Sequence, residues 1–181
     1  MNAEEFWDIM QKKHSPDNSE LIFLIFLCAG NICRSPYAEM MFEKLISESS
    51  LISKDRFKIQ SGGFIDNKKI NLHGHSRQAL LDDGVPEDRV NRFQTRHMRF
   101  YKDDLAAADV LIVMSKDNAD LVNQKYRDKV VHLSEIALDG VVEDIKDPVL
   151  IQDYNEYKQK TNRIKEMLIK LIEKLENIVQ N

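Results

Sequence analysis

Cys28-Ala29-Gly30-Asn31-Ile32-Cys33-Arg34-Ser35-Pro36 follows the apolar run Leu21 to Leu27 and leads into a helical pattern beginning near Pro36. An apolar run of that length, bounded by turn residues, reads as a buried strand. A thiol therefore stands at a strand's end, followed by a short loop and a helix. Backbone N–H groups at such a junction point inward and bind a tetrahedral oxyanion, and the helix dipole adds to the attraction. Gly30 and Asn31 tolerate the positive φ that a closed nest requires. Ser35 is expected to cap the helix and Pro36 to occupy its first position, where no N–H is missed. Arg34 offers a planar fork for two oxygens of one oxyanion. The same positive surroundings favour the thiolate of Cys28.

Working outward, strands alternate with helices. Strands are predicted at Phe57–Gln60, Val110–Met114 and Lys129–Leu133. Helices are predicted at Pro36–Glu48, at Ser76–Asp83 with a stop at Gly84, after Ser115, and from near Gln152 onward. In the last helix Ile164, Leu168, Leu171, Leu175 and Ile178 recur every three or four residues, as a core-facing stripe does. The expected fold class is α/β: a single three-layer domain, residues 21–181, whose central four-stranded parallel sheet has order 2-1-3-4 and helices on both faces. In such sheets ligands bind at the carboxyl ends of the strands, where Cys28 sits.

Residues 1–20 form an N-terminal extension. Phe6, Trp7 and Met10 mark one side of a short helix, and His14-Ser15-Pro16-Asp17-Asn18 reads as a breaker. Such a helix either packs on the domain or frays, or else serves as a self-association or partner-binding arm.

Composition narrows the function classes. The chain has 181 residues, a formal net charge of −4 and two cysteines. That length buries a real core. The negative balance gives no reason to expect nucleic acid as a partner. Two cysteines, both in the candidate loop, argue against a disulfide framework and fit a reducing, cytoplasmic setting. Their spacing, with no later His or Cys pair, does not suit zinc. Leu21–Leu27 is too short to span a bilayer, and cleavage after it as a signal peptide would cut the loop. Neither a membrane nor a cofactor is expected.

The gapless pattern C-x-G-N-x-C-R-S-P-x-A-E, Cys28 to Glu39, resembles the signature of the low-molecular-weight protein tyrosine phosphatases. Ser61-Gly62-Gly63 resembles that family's Ser-Ala-Gly segment after its second strand. Ala108 to Met114 resembles its third strand, and Asp147-Pro148 its Asp-Pro, although that dipeptide more commonly marks an ordinary turn. The resemblance implies metal-independent hydrolysis of protein phosphotyrosine through a phosphocysteine. It implies Cys28 as nucleophile, Arg34 and the loop residues Ala29, Gly30, Asn31, Ile32, Cys33 and Ser35 as the phosphate site, and Asp147 as general acid and base. Ser35 would ease departure of the sulfur, and Asn31 and Ser61 would support the loop. Cys33 would be the partner in a protective disulfide with Cys28. The implied partners are a tyrosine-phosphorylated protein and a bound oxyanion, and the expected assembly is a monomer or weak homodimer.

Two stretches depart from that pattern. Val149 and Leu150 stand where an aromatic usually follows Asp-Pro, and Phe64-Ile65-Asp66-Asn67 lacks a second one at its usual place. Phe64 or Tyr154 are candidate substitutes. A protein arginine phosphatase of the same fold is the alternative, although Ile32 stands where those enzymes tend to carry Thr. A non-catalytic phosphate-binding module is another. Arsenate reductases of this architecture need further cysteines, which the chain lacks. Between Val85 and Lys102 lie Arg89, Arg92, Arg96, His97 and Arg99, either a solvated face or a surface for an acidic phosphoprotein. His97 is the candidate for the family's buried histidine, and His73 and His75 are expected at the surface.

Overall fold

The computed structural model describes residues 1–15, 18–65 and 71–180. Part of the predicted breaker, Pro16 and Asp17, and part of the altered wall, Asp66 and Asn67, lie outside them.

Four parallel strands, β1 (Ile22–Cys28), β2 (Phe57–Gly63), β3 (Val110–Val113) and β4 (Val130–His132), form one sheet of order β2-β1-β3-β4. Every residue of β1 is buried, as expected of a strand covered on both faces. Its side chains alternate between two cores. Ile22, Leu24 and Phe26 enter the larger one, with α1 (Ala3–His14), α2 (Arg34–Glu48) and α8 (Tyr154–Gln180). Phe23, Ile25 and Leu27 enter a smaller one with Met98, Val122, Tyr126 and Leu105, the last from α5 (Lys102–Ala107). Helices α3 (Gly74–Asp82), α4 (Glu87–Asn91), α6 (Lys116–Leu121) and α7 (Leu133–Ala137) complete the two outer layers. The stripe of α8 packs as expected: Ile164, Leu168, Leu171 and Leu175 are fully buried and Ile178 partly so. Gly84 takes φ +77° just past α3, the left-handed stop that glycine allows.

Strand β2 runs three residues further than predicted, because its pairing with β1 continues to Cys28↔Gly63. Ser61 therefore stands within the sheet, opposite Phe26, rather than after the strand. The short helices α4, α5 and α7 have too few turns to leave a periodic trace in the sequence.

Helix α1 is a docked helix, not a free arm. A capping box closes its start: the Asn2 side chain accepts from Glu5 N, and Glu5 accepts from Asn2 N. Phe6 and Met10 are wholly buried against the main core, each contributing roughly 1.5–3 kcal/mol by burial. Lys13 bonds the carbonyl of Leu21 and the carboxylate of Asp109, which also accepts from Phe23 N at 2.8 Å. The apolar face that an arm would offer a partner is thus already covered by the domain.

Candidate active site

Cys28 ends the central strand β1, and α2 starts six residues later. The helix begins at Arg34, not Pro36, with Cys33 at its N-cap position and no side-chain cap bond. Ser35 is consequently inside the first turn and does not cap. Its hydroxyl instead lies 3.0 Å from Cys28 Sγ, and the Asn31 N–H donates to the same sulfur at 3.3 Å. Asn31 has φ +52°, which turns its amide inward.

The side chain of Asn31 ties the loop together. Its Nδ2 donates to Ser35 Oγ at 3.0 Å and to Ser61 Oγ at 2.8 Å, and its Oδ1 accepts from Arg96 N at 2.8 Å. The single hydroxyl proton of Ser35 is left for Cys28 Sγ or for the Gly62 carbonyl at 3.2 Å. Ser61 donates onward to Glu39, a carboxylate only 2% exposed. Arg89 meets Glu39 at 2.6 Å, and Arg96 approaches it at 3.7 Å. Burial pushes the Glu39 carboxyl above its ordinary range, against the pull of Ser61 and Arg89.

Backbone packing closes the loop from the side. The Ala29 carbonyl accepts from Phe64 N and Ile65 N, and the Ile32 carbonyl accepts from His73 N at 2.9 Å. A Cβ on Gly63 would stand 2.7 Å from Asn31 N and 2.8 Å from the Ala29 carbonyl oxygen, so only glycine fits there.

Asp147 arrives from the segment before α8. Arg34 Nη2 donates to Asp147 Oδ2, and Arg34 Nη1 donates to the Ile145 carbonyl at 2.9 Å. Asp147 Oδ1 accepts from Val149 N, an Asx turn across Pro148. Arg34 Nε is buried and has no partner among the described residues.

These groups surround a cavity of about 110 Å³ lined by Cys28, Ala29, Gly30, Ile32, Cys33, Ile65, Asp147 and Val149. Asn31, Ser35 and Ser61 do not line it but hold its shape, and Arg34 lines the adjoining cleft with Asp147 and Ile65. Neither candidate substitute for the missing aromatics is among its walls. Phe64 lines a different cleft, and the Tyr154 hydroxyl is bonded to Asp82.

Burial pushes the Cys33 thiol up to about 12, with the charges of Asp147 and Cys28 adding to it. Cys33 packs with Ile32 and the wholly buried Tyr157, whose hydroxyl is 2.5 Å from Ser76 Oγ. His97 is partly exposed, its backbone bridged to Gly63 and its ring accepting from Arg99 N. His73, expected at the surface, is half-buried and stacks on Tyr157 at 5.3 Å. Glu39, Gly63 and Tyr157 escaped the sequence reading as site residues. Only Glu39, as the last residue of the signature, and Gly63, in a Gly-Gly pair, left any signal.

Among the described residues no group of three or more His, Cys, Asp or Glu is placed to hold a metal ion, and no helix is long and apolar enough to cross a membrane. The chain is 26% identical over 155 residues to the protein-arginine-phosphatase of Bacillus subtilis, covering 84% of this chain and 95% of that one. It is 29% identical over 150 residues to the low molecular weight protein-tyrosine-phosphatase PtpB of Staphylococcus epidermidis, covering 82% and 95%. A crystal structure of a YwlE mutant from Bacillus subtilis superimposes with a TM-score of 0.71 at 25% identity, covering 85% of this chain and 98% of that one. Residues 23–181, from the first strand through the thiol loop to the end of the last helix, match one family throughout, and by that match the chain belongs to the low molecular weight phosphotyrosine protein phosphatases.

Proposed function

We propose that the chain hydrolyses phosphotyrosine in proteins by two in-line displacements at Cys28. The observation that carries this reading is a sulfur at the cavity floor, contacted by Ser35 Oγ and Asn31 N–H, with the Asp147 carboxylate in the wall of the same cavity. In the first step the Cys28 thiolate attacks phosphorus and the bond to the phenolic oxygen breaks. Asp147 gives that oxygen a proton. In the second step water attacks the phosphocysteine, its proton passes to Asp147, and the sulfur leaves as thiolate stabilised by the Ser35 hydroxyl. Arg34 and the loop amides hold the equatorial oxygens. Phosphoryl transfer asks mainly for positioning and charge stabilisation, which this set supplies without a metal. The buried Arg34 Nε is a donor that a phosphoryl oxygen would satisfy. The Arg34–Asp147 pair couples the two roles: as the fork turns to phosphate it releases the carboxylate for proton transfer.

A second reading, hydrolysis of phosphoarginine, has one observation in its favour. Beyond the loop and Asp147, the described walls are Ile65 and Val149, both aliphatic, with no aromatic ring to stack on a phenol. Phosphate release from phosphotyrosine and phosphoarginine peptides, in chelator and with Cys28→Ser as control, tests both. A dominant phosphotyrosine rate supports the first reading, and a dominant phosphoarginine rate replaces it. Retained turnover in the control overturns the cysteine mechanism.

A further inference from the structure

The basic stretch between Val85 and Lys102 is not one surface. Arg89 is spent on Glu39 and Glu43, Arg92 on Asp88, and Arg96 lies beside Glu39. Arg99 is different: it is exposed and has no carboxylate partner among the described residues. The same holds for Lys102 and Lys125, which come from separate segments. All three converge on one cleft of about 290 Å³, whose other walls include Phe64, Met98 and Tyr126. Lys125 Nζ sits 4.5 Å from the centre of the Tyr126 ring. Among the described residues no carboxylate lines the cleft. Of the two acids that follow Lys102, Asp103 is outside the lining and Asp104 pairs with Lys58. In a chain of net charge −4, three uncompensated cations around one cleft run against the average.

The cleft adjoins the candidate active site. Phe64 lines the cleft and Ile65 lines the Cys28 cavity, and both donate to the Ala29 carbonyl, at 2.8 and 2.9 Å. The wall between them is therefore a single chain segment. An extended peptide advances roughly 3.3–3.6 Å per residue, so a side chain within about five residues of the phosphorylated one reaches the cleft.

We propose that this cleft is a subsite for acidic side chains of the protein substrate, flanking the phosphorylated residue. The inference rests on the phosphatase reading and sharpens it to a substrate class. Cations on long stems over an aromatic floor suit carboxylates, with the stems covering apolar surface. Being exposed, they act chiefly on encounter rate and selectivity, and salt screens them.

The test compares two phosphopeptides, one with Asp and Glu on both flanks and one with Ser and Gln there. p-Nitrophenyl phosphate serves as a substrate that cannot reach the cleft. Wild type should prefer the acidic peptide by about tenfold in kcat/KM at low salt, three exposed ion pairs being worth roughly that. The triple variant Arg99→Gln, Lys102→Gln, Lys125→Gln should bring the ratio near one and leave p-nitrophenyl phosphate turnover unchanged. Lys125→Glu alone should lower the ratio further than Lys125→Gln. A ratio that survives the triple variant, or no preference in wild type, overturns the subsite. So does an equal loss on all three substrates, which would place the cations in the fold. Lipid-vesicle binding that the triple variant abolishes, without any peptide preference, assigns the cleft to an anionic membrane surface instead. If wild type turns over nothing, the phosphatase reading fails separately. Fluorescence anisotropy of the same two peptides then decides the cleft, with tighter acidic binding lost in the triple variant as the supporting result and equal binding as the overturning one.

Discussion

The floor and the rim of the Cys28 cavity are built in opposite ways. On the floor every polar side chain is buried and bonded: Asn31, Ser35, Ser61 and Glu39 form a continuous chain behind the sulfur, fastened by Arg89. On the rim, Ile65 is 54% exposed and Val149 is partly exposed. Between them stands Asp147, held by one arginine and one turn. A buried network has few alternative arrangements, because each lost partner leaves a desolvated group. An exposed aliphatic side chain can change at little cost. On the proposed reading the floor therefore specifies the reaction, and the rim is the part whose side chains can change at little cost to it.

The largest test of the floor is Cys28→Ser. We expect kcat to fall on the order of 10⁴-fold or more, while calorimetry still detects phosphate binding. Turnover near wild type would break the assignment. Next, Asp147→Ala should cost about 10²–10⁴-fold on an alkyl-substituted phenyl phosphate and much less on p-nitrophenyl phosphate, whose leaving group needs little protonation. Equal losses on the two would move the acid to another residue. Gly63→Ala presses a methyl into the backbone of the loop and should destabilise the fold by about 1–3 kcal/mol, read as a lower Tm together with a lower kcat. An unchanged Tm would mean that the floor yields more easily than its bonding implies.

The rim should respond more gently. Val149→Tyr restores an aromatic wall, and a stacked ring is worth about 1 kcal/mol, so the phosphotyrosine-to-phosphoarginine ratio should rise about fivefold. A ratio that stays put places selectivity elsewhere. The smallest effect lies far from both regions, at the end of α1. Burial holds the His14 imidazole below its ordinary value of 6.5, while its bond to the Met10 carbonyl opposes the shift. The unfolded chain then binds the extra proton more readily than the folded one. Stability is present above pH 6.5 and is lost as pH falls below it. His73, also lowered by burial, contributes with the same sign. Tm measured from pH 7.5 to 5 should decline, and less steeply in His14→Gln. Identical slopes would detach His14 from the effect.

Much of the floor was legible because it is local. Cys28, Asn31, Arg34 and Ser35 lie within eight consecutive residues, and their types report the turn, the nest and the helix start together. Ser61 and Asp147 were found only through their resemblance to a family pattern, since nothing near them in sequence distinguishes either from an ordinary turn residue. Glu39 was quoted as the end of a motif, yet its burial and its bond to Ser61 depend on β2 lying beside β1. Gly63 is constrained by atoms of Asn31 and Ala29, more than thirty residues earlier. The ends of β2 and α2 were misjudged for a related reason. Strand length follows the partner strand, and helix start follows what the first turn must contact.

By itself the sequence determined the α/β alternation, the strand that ends in Cys28, the oxyanion-binding character of the loop and the core stripe of the last helix. Each of these is written in neighbouring residues whose period, charge or φ preference has a local cause. Tertiary structure decided the rest. It turned the N-terminal extension into a packed helix and silenced Arg89, Arg92 and Arg96 against carboxylates. It also gathered Arg99, Lys102 and Lys125 around one cleft and left no aromatic ring among the described walls of the Cys28 cavity. Pairing of charges and apolar faces across a fold depends on distances that chain order does not carry.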